Sequence, residues 1–399
     1  MKTTTLPPLW LLMMITLASP FAMNVFNPAM PDVVRAFNSH IDIVQLTLTL
    51  YIFTLGFSQL LCGALSDHFG RRPLMLIGMV INLLGSLFAA FAPDVWILIL
   101  GRVLQALGGG AALILVRTMI LDSSERSEAG RLLSYIYMSV AIAQTIAPTL
   151  GGYLNHYFDW RAIFYVSFFM NLMITVVMIR KLGESTFTPE NARFSLKGLM
   201  GKYLSIVKQP VYVGYGLTAG LITSAYLSFA AIMPYIFVDY FGGTSAEYGN
   251  WFLIISGGFF TGSLVASRIG TRVGMDRMIH WGMGLALTAV ATLIIALWHR
   301  HEIVALIFMV MGLVTFARGF VIPNAQSGAI SCLANNKGTA SGLMVFIQLT
   351  TASMVAQTMP TILALGVIYV FVAIFMLLLL ASIAHFYAKM TSSNEVGTR

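Results

Sequence analysis

Gly63-Ala64-Leu65-Ser66-Asp67-His68-Phe69-Gly70-Arg71-Arg72-Pro73 is the stretch that decides the fold. It sets glycine, one acid and two arginines between apolar runs at about 44–65 and 74–92. Each run has the roughly 20 residues that a helix needs to cross a hydrocarbon core about 30 Å thick. A connection this short between two crossings needs glycine to turn and a carboxylate to bind neighbouring helix ends and arginines. Gly63, Asp67, Gly70, Arg71 and Arg72 are therefore expected to form a gating loop, whose charges lock one packing and release another. The plainer alternative is a charged loop that only anchors topology.

Working outward, further apolar runs lie near 9–31, 95–119, 133–154 and 162–180, completing a first group of six. A second six lies near 211–238, 248–267, 279–297, 303–324, 339–358 and 362–387. Lys2 and the run after it resemble a signal peptide, but apolar sequence continues past Pro20, so the segment is expected to be a retained first helix. Of 399 residues 58% are hydrophobic and 10% charged, too few charges to clothe a soluble surface of this size. The expected fold is an all-α integral membrane protein of 12 transmembrane helices in two six-helix bundles. The expected organisation is an N-terminal bundle over 1–180, a basic cytoplasmic linker over 181–210, a C-terminal bundle over 211–390 and a cytoplasmic tail over 391–399. Sequence identity between the halves is weak, so the repeat rests on hydropathy.

With the N-terminus in the cytoplasm, 17 of the 23 Lys and Arg fall on that side, and three (Arg35, Arg161 and Arg300) on the other. The remaining Arg102, Arg117 and Arg318 lie inside apolar runs. This bias predicts both termini cytoplasmic. Basic residues spread over many loops argue against nucleic acid despite a net charge of +8. Cys62 and Cys332 form neither a disulfide framework nor a metal cluster, and no metal or cofactor is expected. No nucleophile with an acid–base partner, zinc-protease motif or phosphate loop is found, which argues against an enzyme and against a nucleotide-driven pump.

The motif at 63–73 resembles the loop between helices 2 and 3 of the major facilitator superfamily, Gly-x-x-x-Asp-x-x-Gly-Arg-Arg/Lys. The fourth run, Leu100-Gly101-Arg102-Val103-Leu104-Gln105, is similar to that family's intramembrane arginine pattern. Ala147-Pro148-Thr149-Leu150-Gly151-Gly152 looks like the motif of its drug–proton antiporters, with Pro148, Gly151 and Gly152 as an expected hinge. Asp159-Trp160-Arg161, Pro323-Asn324-Ala325 and Gly338-Thr339-Ala340-Ser341 extend the resemblance to the bicyclomycin-resistance branch. The resemblance implies proton-coupled export across a bacterial inner membrane, with Arg102 influencing proton exchange. It implies a small-molecule substrate, protons and the lipid bilayer as partners, and we expect a monomer.

One position departs from the branch. Its first-helix pattern is Asp-x-x-x-Pro, and here Asn24-Val25-Phe26-Asn27-Pro28 supplies an amide that cannot carry a proton near neutral pH. Asn24 and Arg102 lie at similar depth, Arg102 about seven residues or roughly 11 Å inside its helix, and are expected to meet. All 15 Asp and Glu lie in loops, tails or at the ends of runs. Asp32, at the outer end of the first run, is the nearest candidate proton carrier, and Asp239 a weaker one. The expected substrate and proton pathway is Asn24, Asp32, Arg102, Gln105 and Arg318. Arginines without buried carboxylates favour an organic anion, such as a polycarboxylate metabolite or siderophore. The resemblance favours multidrug efflux of lipophilic or cationic drugs. A receptor that no longer transports is a third reading, motivated by Asn24.

Overall fold

The structure, a computed structural model, describes residues 7–124, 126–183, 196–299, 303–333 and 337–397. In lipid every backbone N–H and C=O must be bonded within its own segment, and these apolar runs comply by becoming helices. The first crossing is α1 (Leu9–Val25), a 3-10 turn over Asn27–Ala29 and α2 (Met30–Ala36). It is followed by α3 (Ile41–Phe69), α4 (Arg71–Ala90), α5 (Val95–Ser123), α6 (Arg126–Tyr157) and α7 (Trp160–Lys181). After α8 (Leu196–Val207) come α9 (Pro210–Tyr235), which ends in a π turn over Ile236–Tyr240, α10 (Ser245–Val273), α11 (Met275–Trp298), α12 (Val304–Ser331), α13 (Lys337–Leu363) and α14 (Val367–Gly397). Twelve of these segments are long and apolar enough to cross a membrane.

The chain divides into two compact units, Met1–Leu196 with Thr244–Asn250, and Lys197–Gly243 with Trp251–Arg399. Within the first, α1 packs on α5, α6 and α7, while α4 packs on α5 and α7. Within the second, α9 packs on α12, α13 and α14, while α11 packs on α12 and α14. The second pattern is the first moved on by six crossings. The turns repeat as well. Gly70, between α3 and α4, has φ 85° and ψ 157°, and Gly274, between α10 and α11, has φ 88° and ψ 153°. A side chain is strained at such positive φ, so glycine serves at both turns.

Small residues bring the helix backbones together. A Cβ at Gly85 of α4 would lie 2.6 Å from the Gly101 carbonyl of α5, and one at Gly101 would lie 2.8 Å from the Gly85 carbonyl. The second unit uses the same device: a Cβ at Gly319 of α12 would lie 2.5 Å from the Ser263 nitrogen of α10. Without a hydrophobic drive between helices in lipid, such close approach is a principal source of cohesion.

Three expectations change in detail. The stretch from Gly63 to Phe69 is the last part of α3 rather than loop, so Gly70 alone makes the connection. The 181–210 segment contains the helix α8, with its residues 184–195 outside the described set. The tail beyond 391 continues α14 as far as Gly397.

Candidate functional site

In the first unit, Arg102 of α5 is fully buried. Its Nη1 donates to the Ala22 carbonyl at 2.8 Å and to Gln105 Oε1 at 3.0 Å. The guanidinium carbon lies 4.2 Å from the ring centroid of Tyr51 on α3 and 4.9 Å from that of Phe26. Gln105 Nε2 passes the network to Ser86 Oγ at 2.9 Å. Asn82 donates to the Gln105 carbonyl at 2.8 Å and accepts from Asn171 at 2.7 Å. Arg102 Nε and Nη2 have no partner. A cation at such depth is costly, and its bonds and ring faces offset only part of that cost.

No hydrogen bond joins Arg102 to Asn24, the pair expected to meet. Asn24 donates Nδ2 to Pro20 O on its own helix at 2.8 Å, leaving Oδ1 buried without a partner. The reason is the local supply of acceptors: the turn before Pro28 offers Arg102 the Ala22 carbonyl, and the residue three places on offers Gln105. Asp32, in the first turn of α2, pairs with Arg35 at 2.9 Å and accepts from the amide of Asn155. It is partly exposed and lies on a different stretch from the Arg102 network.

In the second unit, Arg318 of α12 is half-buried. Its guanidinium carbon lies 4.2 Å from the ring centroid of Tyr226 on α9 and 4.9 Å from that of Phe259 on α10. Nε is buried with no hydrogen-bond partner, and among the described residues neither a carboxylate nor a backbone carbonyl is bonded to the side chain. Pro323 does not break α12, and although its missing N–H leaves the Gly319 carbonyl without its helical donor, no bond from Arg318 to that carbonyl is formed. The two arginines use matching helices: α5 with α1 and α3, and α12 with α9 and α10. They differ in freedom, since Arg102 is tied to two acceptors and Arg318 to none.

Of the gating residues, Arg71 is buried and pairs with Asp122 at 2.5 Å, while Arg72 donates to the Ile179 carbonyl at 3.3 Å. The Asp67 side chain lies outside the described residues. Gly63 is an ordinary helical position with room to spare. Pro148 sits in an unbroken α6. Gly151 backs onto the Val25 carbonyl at the end of α1, and Gly152 onto the Ser245 carbonyl. Sequence reasoning left Tyr51, Asn171 and Tyr226 out of its expected pathway set. It missed Asn82, Ser86 and Phe259, although polar residues at 82 and 86, one turn apart in an apolar run, are a readable signal.

The family model of the Major Facilitator Superfamily matches residues 12–356. The chain belongs to the Major Facilitator Superfamily. This membership makes it a secondary transporter of small molecules and not an enzyme. The superfamily chain is 24% identical over 349 residues to the uncharacterized transporter YdgK of Bacillus subtilis, covering 87% of each chain. It is 24% identical over 340 residues to the bicyclomycin resistance protein homolog of Haemophilus influenzae, covering 83% of each. The superfamily fold is seen too in its likeness to the crystal structure of the human organic anion transporter MFSD10, with a TM-score of 0.73 at 15% identity over 94% of this chain and 98% of that one.

Proposed function

We propose that this transporter exports a small organic anion across the bacterial inner membrane in exchange for protons. The observation that carries the reading is Arg318. Two aromatic faces hold its guanidinium, its buried N–H has no acceptor, and among the described residues no carboxylate pairs with it. A carboxylate substrate supplies both the missing charge and the missing acceptors through paired N–H···O bonds. Within the first unit, buried Arg102 carries the same sign of charge. The drive by protons, the outward direction and the inner-membrane site rest on the family resemblance. The placing of both termini in the cytoplasm rests on the distribution of Lys and Arg.

The relatives favour a second reading. A homologue named for bicyclomycin resistance points to efflux of drugs. The two readings separate in everted vesicles under an imposed pH gradient. Accumulation of a labelled tricarboxylate such as citrate, blocked by other polycarboxylates, supports the anion. Accumulation of ethidium with none of citrate supports drug efflux.

A further inference from the structure

A second cluster of ionisable groups in the second unit includes neither Tyr226 nor Phe259 and joins α9, α11 and α14. His385 of α14 is 2% exposed. Its Nε2 stands 3.3 Å from Nδ1 of His280 on α11 and 3.9 Å from Oδ1 of Asp276. His280 Nδ1 is also 2.6 Å from the Asp276 backbone carbonyl. Tyr215 of α9 donates to Asp276 Oδ1 at 2.9 Å. His280 is exposed, so the buried imidazole has a titratable neighbour on the surface. Lys389, one turn further along α14, and Cys332, at the end of α12 beside Tyr215, complete the ionisable surroundings. The cluster lies about 7.5 Å inside the start of α11, taking His280 as five residues from Met275.

The bonds fix where the hydrogens are. A carbonyl only accepts, so His280 Nδ1 carries the hydrogen it gives to Asp276 O. His385 Nε2, facing that N–H, is then the bare nitrogen, and its own hydrogen is on Nδ1, which is buried without a partner. A proton arriving at His280 Nε2 lets the Nδ1 proton pass to His385 Nε2. His280 is left neutral with its hydrogen on Nε2, so its bare Nδ1 gives up the bond to Asp276 O and the ring turns from that carbonyl, while His385 becomes an imidazolium facing the Asp276 carboxylate. One proton enters, none is lost, and the charge is stored where no solvent reaches.

We propose that His280 and His385 form a proton-binding site of this transporter, entered through His280 and balanced by Asp276. Its use in transport rests on the proton-coupled reading above. It answers a need that the first crossing leaves open, because Asn24 cannot carry the coupled proton. Loading the site would tie α14 to α11 through Asp276 and compete with Tyr215 of α9 for the same oxygen, so three helices of one bundle would sense one proton.

The test is histidine-selective ¹⁵N NMR of the full chain in lipid nanodiscs across about pH 4 to 9. Two rings sharing a proton titrate in two steps separated by about one pH unit or more. In H385Q, His280 should collapse to a single step, and D276N should move the His385 step. H280Q, at an exposed position, keeps the helix packing and should weaken or slow proton uptake by His385. The site is refuted if His280 titrates identically in wild type and H385Q, or if His385 takes up its proton unchanged in H280Q. The titration needs no substrate. A coupled pair in a protein whose transport ignores a pH gradient would uphold the site and sink the antiport reading, whereas independent titration with gradient-driven transport would do the reverse.

Discussion

Arg318 lies 4.2 Å over the ring of Tyr226, the same distance at which Arg102 lies over Tyr51. The shared distance hides a difference in chemistry. Arg102 spends its Nη1 on Ala22 and Gln105 and is sealed from solvent, which makes it a fixed source of positive potential. Arg318 has ring faces and, among the described residues, no acceptor, which suits it to the substrate-binding role proposed above.

The rings beside Arg318 should set its affinity. A desolvated guanidinium over an aromatic face gains roughly 0.5–2 kcal/mol. Tyr226→Leu and Phe259→Leu should each weaken apparent substrate affinity by about twofold to thirtyfold, with maximal rate less affected. Tyr226→Phe, which keeps the ring, should behave nearly as wild type. Concentration dependence of uptake in proteoliposomes measures this.

The Arg102 network should be a matter of both stability and function. Gln105→Leu removes one Arg102 hydrogen bond and the one that Ser86 Oγ accepts, while Ser86 still donates to the Asn82 carbonyl, at about 1–3 kcal/mol. Thermal unfolding in detergent should fall by several degrees. Arg102→Ala should abolish transport while the protein still reaches the membrane, and full activity in that variant would remove Arg102 from the mechanism.

Much of this architecture is legible in the sequence. Twelve crossings followed from run length, and the family from Gly63–Pro73 together with the fourth and fifth runs. Side-chain partners were less legible. Equal depth along two helices suggested that Asn24 would meet Arg102, but depth says nothing about azimuth, and the Ala22 carbonyl lies on the side that Arg102 reaches. The motif at 63–73 read as a loop because its residues are polar. Helical geometry nevertheless continues to Phe69, and only the positive φ at Gly70 ends it. The His280–His385 pair joins residues 105 positions apart, and neither side chain has a neighbour in sequence that announces the other.

Glycine contacts should fail in proportion to what stands opposite. Gly85→Ala drives a methyl against the Gly101 carbonyl at 2.6 Å, a backbone atom that cannot turn aside. The cost should be about 1–3 kcal/mol, read as a lower unfolding temperature. Gly284→Ala, where a methyl meets nothing within 4 Å, should leave that temperature unchanged.

Asn24→Asp should restore a negative charge to the first crossing. The new carboxylate loses the bond that Asn24 Nδ2 makes to Pro20 O and lies in the bundle that contains Arg102, so it should offset that cation. Selectivity in competition assays should move towards cations. Unchanged selectivity would count against a part for position 24 in substrate choice.

The most direct measurement is uptake of citrate and of ethidium by proteoliposomes containing wild type, Arg318→Lys or Arg318→Met. A guanidinium that binds carboxylate predicts citrate uptake in wild type, a reduced rate with lysine, and loss with methionine in protein that remains folded. Citrate uptake unaffected by methionine at 318, or ethidium as the sole substrate of all three proteins, would contradict it.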